Sequence, residues 1–113
     1  MNAPVLNFDL ESRVDGDRAV VTVIGDFDLQ VAQRVVNELT KVEEGGPALL
    51  IIDLSRLSFL DSAGMGVIAA AQARATESGR ELAVVRPPYS VRRAFEVSGF
   101  GEVINVVDDI EAT

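Results

Sequence analysis

The run Ala48-Leu-Leu-Ile-Ile-Asp-Leu54 constrains the fold of this chain more than any other stretch. It is almost wholly apolar, too short for a typical core helix, and bounded upstream by Gly45-Gly46-Pro47. A run of that length and composition reads as a strand covered on both faces, the habit of a central strand in an α/β sheet. The neighbours fit. From Leu29 to Val42, apolar residues fall at Leu29, Val31, Ala32, Val35, Val36, Leu39 and Val42, a helical stripe with Asp28 as a natural N-cap. Downstream, an Ala-rich helix is expected from Ser62 to about Ser78, stopped by Gly79.

The remaining elements follow the same alternation. Val5–Val14 reads as a first strand, with Leu6, Phe8 and Leu10 on one face and Asn7, Asp9 and Glu11 on the other. Asp15-Gly16-Asp17 is a hairpin turn signal, and Ala19–Ile24 is a β-branched return strand ended by Gly25. Leu82–Val85 is a short strand broken by Pro87-Pro88. Ser90 is a candidate cap for a helix over Val91–Val97, closed by Gly99. Val103–Val107 reads as a last strand or the lead into a terminal turn. The order ββαβαβαβ predicts one α/β domain over residues 1–113: a mostly parallel sheet, an initial antiparallel hairpin, and helices packed against it.

In such sheets, ligands and partners meet the carboxyl ends of the strands. Gly25-Asp26-Phe27-Asp28 and Asp61-Ser62 each follow a strand and precede a helix, so they belong on one edge of the molecule. Ser62 falls where a helix begins. A hydroxyl there either caps the helix or, exposed by that position, accepts a phosphate.

Composition narrows the function. The chain has neither cysteine nor histidine, which removes thiolate chemistry, the usual metal ligands and a Ser-His triad. No Gly-x-Ser-x-Gly elbow or Gly-x-x-x-x-Gly-Lys loop is present, so no enzymatic activity, metal or cofactor is expected. A net charge of −8 argues against direct contact with nucleic acid. No apolar run approaches a membrane span, and Met1-Asn-Ala-Pro lacks a signal-peptide pattern, so a cytoplasmic protein is expected.

Asp53-Leu-Ser-x-Leu-x-Phe-Leu-Asp61-Ser62-x-Gly64-x-Gly66, with the acidic turn at Asp26 and Asp28 and the order of elements, resembles the STAS domain, above all the bacterial anti-sigma factor antagonists. The likeness covers nearly the whole chain. It implies that Ser62 is the phosphorylation site of a partner switch. The unphosphorylated form would bind an anti-sigma factor that is also a serine kinase of GHKL-type fold, and so release a sigma factor. Phosphorylation would end that binding, and a PP2C-type phosphatase would restore it. Two departures stand out: Asp26 replaces the family's common Glu, and Ala63 replaces a frequent second hydroxyl, which leaves Ser62 as the sole acceptor in the motif. Stand-alone relatives also serve as accessory subunits of lipid-transport ABC systems or as signalling scaffolds, and that is the alternative reading.

Partner contact is expected at Asp26, Asp28, Asp61, Ala63, Gly64, Met65 and Ile68. Asp28 also has an ordinary role as a helix cap, and Gly64 and Gly66 one in close packing against the sheet. Met65 and Ile68 are expected to stay exposed near the start of the helix. Arg92-Arg93 reads mainly as a solvated pair, with a partner salt bridge the lesser reading. The open edge of the first hairpin leaves room for weak homodimerisation.

Overall fold

The computed structural model describes residues 6–97 and 99–112. Strands β1 (Phe8–Asp15) and β2 (Arg18–Phe27) form the hairpin. Helix α1 (Leu29–Glu44), β3 (Leu49–Leu60), α2 (Ser62–Ser78), β4 (Glu81–Val85), α3 (Tyr89–Val97), α4 (Phe100–Val103) and β5 (Asn105–Val107) follow, and a 3₁₀ turn (Ile110–Ala112) is the last described element. The expected start of the first strand at Val5 lies outside the described residues.

One sheet holds the strands in sequential order, β1-β2-β3-β4-β5. The β1–β2 pair is antiparallel and every other pair parallel. Asp15 faces Arg18, so the hairpin turns on Gly16-Asp17, with Gly16 at φ 62° supplying the positive φ that a two-residue turn demands. Parallel strands laid down in order, with crossovers of one hand, put their helices on one face. The core shows that arrangement. Val31, Val35 and Leu39 of α1, Ile68 and Ala71 of α2, and Phe95 of α3 share one cluster with Val21, Val23, Ile52 and Val84 of the sheet. The opposite face buries a smaller cluster, Val20, Ile51, Ala83 and Val85, against which Ile110 of the terminal turn packs.

Two strands run further than their sequence pattern suggests. β2 continues through Gly25 to Phe27 instead of ending at Ile24, and β3 continues to Leu60 instead of Leu54. The reason is a shift of register. Asp53 faces Thr22 but Arg56 faces Ile24; Gly25 faces Leu57 but Asp26 faces Phe59. At each step β3 carries one residue more than β2, as in a β-bulge. These insertions put Leu54, Leu57 and Leu60 all in the helix-side core, a spacing of three that hides the strand from a test for alternation. Buried Asp53 stands at the first irregularity and accepts the Ser55 N–H on Oδ1 at 2.9 Å.

Helix α3 starts at Tyr89, immediately after Pro87-Pro88. The Val91 and Arg92 N–H groups donate to the Pro88 carbonyl, so Ser90 lies inside the first turn and does not cap it. A prolyl carbonyl can close a first turn that has no capping hydroxyl.

Candidate functional site

The carboxyl ends of β2 and β3 lie side by side, with Phe27 opposite Leu60, and each strand passes through one acidic residue into a helix. Asp28 caps α1: its side chain accepts the Gln30 N–H at 3.0 Å. Asp61 caps α2, taking the Gly64 N–H on Oδ1 at 3.0 Å. Its second oxygen accepts the Leu29 N–H of α1 at 3.2 Å, and its own N–H donates to the Phe27 carbonyl at 3.2 Å. Asp61 therefore fixes two helix entrances against each other. The cap is Asp61 and not Ser62, which is the first residue of α2 and is exposed. The Ser62 hydroxyl is therefore not used to close the helix.

Gly64 belongs to the packing. A Cβ there would lie 2.7 Å from Leu60 Cδ1 and 2.8 Å from the Phe27 carbonyl oxygen. The absent side chain is what lets the first turn of α2 sit on the ends of both strands. At Gly66 a Cβ would meet nothing within 4 Å. Ile68 is fully buried, contrary to the expectation that it stays on the surface with Met65. Its position, six residues past Ser62 on a helix of 3.6 residues per turn, turns it to the sheet. Met65 is half-buried, as is Ala63.

Ser62 and Met65 stand on a groove of about 650 Å³ between the end of β3, the start of α2 and α3. Its apolar wall includes Phe59, 49% exposed, and Val97, 80% exposed. Ser58, Ser90 and Arg93 add polar groups, and among the described lining residues Arg93 is the one that is basic. Asp61 also borders it. Asp26 and Asp28 do not. They line a smaller neighbouring cleft of about 320 Å³ with Asn7 and Gln30. Asp26 is held there by Asn7, whose backbone carbonyl accepts the Asp26 N–H at 2.7 Å and whose side-chain amide donates to Oδ1 at 3.3 Å. Gly25, at φ 88°, lets the Asn7 backbone lie where any side chain would stand. Asp26 and Ser62 thus share an edge but open onto different hollows.

Sequence reasoning did not single out Phe59 and Val97, and it gave Arg93 mainly to solvent. For α3 a signal exists: Val91 and Phe95, four apart, are buried, which leaves Val97 as an apolar residue off that face. Phe59 gives no such signal until the bulges of β3 are known. Among the described residues, no group of three or more His, Cys, Asp or Glu is placed to hold a metal ion, and no helix is long and apolar enough to cross a membrane.

Comparison with known proteins adds to this geometry. A sequence model of the family described as STAS domain matches residues 9–113. The anti-sigma-B factor antagonist of Staphylococcus aureus is 22% identical over 106 residues, spanning 94% of this chain and 98% of the relative. Among solved structures, an anti-sigma factor antagonist from Mycobacterium paratuberculosis superposes with a TM-score of 0.80 at 23% identity, covering 93% of this chain and 89% of that one. The unphosphorylated form of the anti-sigma factor antagonist SpoIIAA superposes with a TM-score of 0.74 at 24% identity, covering 93% and 91% of the two chains. The phosphorylated form of SpoIIAA, from Bacillus, gives 0.68 at 24% identity, with coverage of 93% and 95%.

Proposed function

Because this chain belongs to the STAS domain family, we propose that it is an anti-sigma factor antagonist whose binding is switched by phosphorylation of Ser62. The observation that carries the reading is the division of labour between two adjacent residues. Asp61 does the capping with both carboxylate oxygens, and Ser62 is left exposed on the rim of an apolar groove. The relatives named as antagonists, matched over nearly the whole chain, supply the class of partner.

In this reading the unmodified protein engages an anti-sigma factor with a GHKL-type serine kinase fold, and a sigma factor is released. Phe59, Met65 and Val97 offer apolar contact, while Asp26 and Asp28 offer negative charge beside it. The kinase transfers the γ-phosphoryl group of ATP to Ser62. A bond forms from Oγ to phosphorus as the bond to the bridging oxygen of ADP breaks, and the hydroxyl proton passes to a base of the kinase. A PP2C-type phosphatase hydrolyses the phosphoserine and restores the hydroxyl. Added phosphate brings about −1.5 to −2 charges onto an edge that is already acidic. A surface matched to the unmodified edge then meets repulsion and bulk. The role is regulatory, with catalysis residing in the partners, and its setting is the cytoplasm.

The test is phosphosite mass spectrometry on wild type and Ser62→Ala after incubation with native lysate and ATP, together with identification of the bound kinase. Phosphate on Ser62 alone, with a bound kinase released after modification, is expected. An unmodified Ser62, with a transporter ATPase bound in place of a kinase, would move the protein to the accessory-subunit role.

A further inference from the structure

Arg93 is exposed, lines the same groove as Ser62, and makes no hydrogen bond or ion pair with any described residue. Its neighbour Arg92 differs: it donates to the Pro87 carbonyl at 3.4 Å and lies over the Tyr89 ring at 6.0 Å. Arg74 and Arg80 engage Glu43, Arg86 engages Asp108, Arg56 engages Glu11 and Arg34 lies over the Phe8 ring; Arg13 and Arg18 are unpaired like Arg93, but neither lines the groove. Arg93 is thus a long, unpaired cation on the groove that also holds the candidate phosphoacceptor. Asp61, the acidic residue of the lining, already accepts two backbone N–H groups.

We propose that Arg93 is the internal receptor of the Ser62 phosphate, and that their pairing draws the arginine across the groove and closes it over Phe59 and Met65. This rests on Ser62 being the modified residue, as the proposed function holds. The guanidinium fork matches phosphate oxygens, and its flexible stem spans several ångströms without moving the helix that carries it. Ser58 and Ser90, which line the same groove, add hydroxyl donors. Modification then does two things. It adds charge to the rim, and it covers the apolar surface that a partner needs. The fold is unchanged, because Arg93 leaves no existing contact in order to pair.

The experiment uses full-length protein carrying phosphoserine at position 62 by direct incorporation during translation, so that it does not depend on any kinase. Titration followed by phosphorus NMR reads the second ionisation of the phosphate, near pH 6 for free phosphoserine. An apposed arginine favours the dianion, so the midpoint is expected to rise by about half a unit or more in Arg93→Ala and to stay close to wild type in Arg93→Lys. Met65, whose only companion methionine is Met1, lies one turn from Ser62, and its methyl resonance is expected to shift on phosphorylation, by clearly more in wild type than in Arg93→Ala. Equal midpoints, or a Met65 shift of the same size in Arg93→Ala as in wild type, would overturn the receptor role. Failure of the proposed function shows elsewhere, as an unmodified Ser62 in the lysate assay.

Discussion

Asp61 holds Leu29: its Oδ2 accepts the first N–H of α1 at 3.2 Å while Oδ1 accepts the Gly64 N–H of its own helix at 3.0 Å. One carboxylate thus satisfies an orphan donor on each of two helices and locks the edge on which Ser62 stands.

Asp61→Ala is expected to cost about 2 kcal/mol, roughly one helix cap's worth at each end of the bridge. Asp61→Asn keeps one acceptor oxygen and should lose about half as much. Urea denaturation checks both. If Asp61→Ala matches wild type, the bridge contributes nothing to the fold.

Gly64 and Gly66, two apart in α2, should respond oppositely to the same methyl group. Gly64→Ala drives a Cβ against Leu60 and the Phe27 carbonyl, and a loss of about 1–3 kcal/mol is expected. Gly66→Ala meets open space and gains helix propensity, so stability should rise by up to about 1 kcal/mol. Thermal melts of the two variants decide the point. Reduced partner binding by the more stable Gly66→Ala would place that position in the interface.

Glu43 clamps the far ends of both long helices. Arg74 donates to it twice, at 2.8 and 2.9 Å, and the Arg80 guanidinium lies 4.0 Å away. The hydrogen bond to Glu43 raises the Arg74 pKa, with charge attraction adding and desolvation opposing. A raised arginine pKa contributes stability that is full below its unfolded value and lost only as pH climbs through the folded one. The arginine side of the pair is therefore expected to give no pH dependence between about pH 5 and 9. Arg74→Ala should cost about 1 kcal/mol, evenly across that window. Denaturation at several pH values reads it.

Ser62→Asp and Phe59→Ala should separate binding from folding. Both side chains are exposed on the groove. Each variant is expected to melt within a few degrees of wild type and to bind the anti-sigma partner about tenfold more weakly or worse. Calorimetric titration alongside thermal melts tests this. Gross unfolding of Ser62→Asp would defeat the idea that modification acts on the surface alone.

The alternation of strand and helix, the turn at Gly16, the stripe of α1, its cap at Asp28 and the stop at Gly79 were legible in the sequence. Each depends on residues within a turn or two of one another, and periodicity records such relations directly. Only the tertiary structure decided the rest. The length of β3 depends on its register with β2, and its bulges replace a period of two with Leu54, Leu57 and Leu60 facing one core. Asp61 caps its own helix locally, but it also ties down α1 only because the end of β2 brings the Leu29 N–H within reach. Ile68 went inside because α2 lies on the sheet, and Gly64 is required because Phe27 and Leu60 stand beneath it. The groove joining Phe59, Ser62, Arg93 and Val97 draws on three elements, and no local pattern encodes contacts that form only when distant segments are packed together.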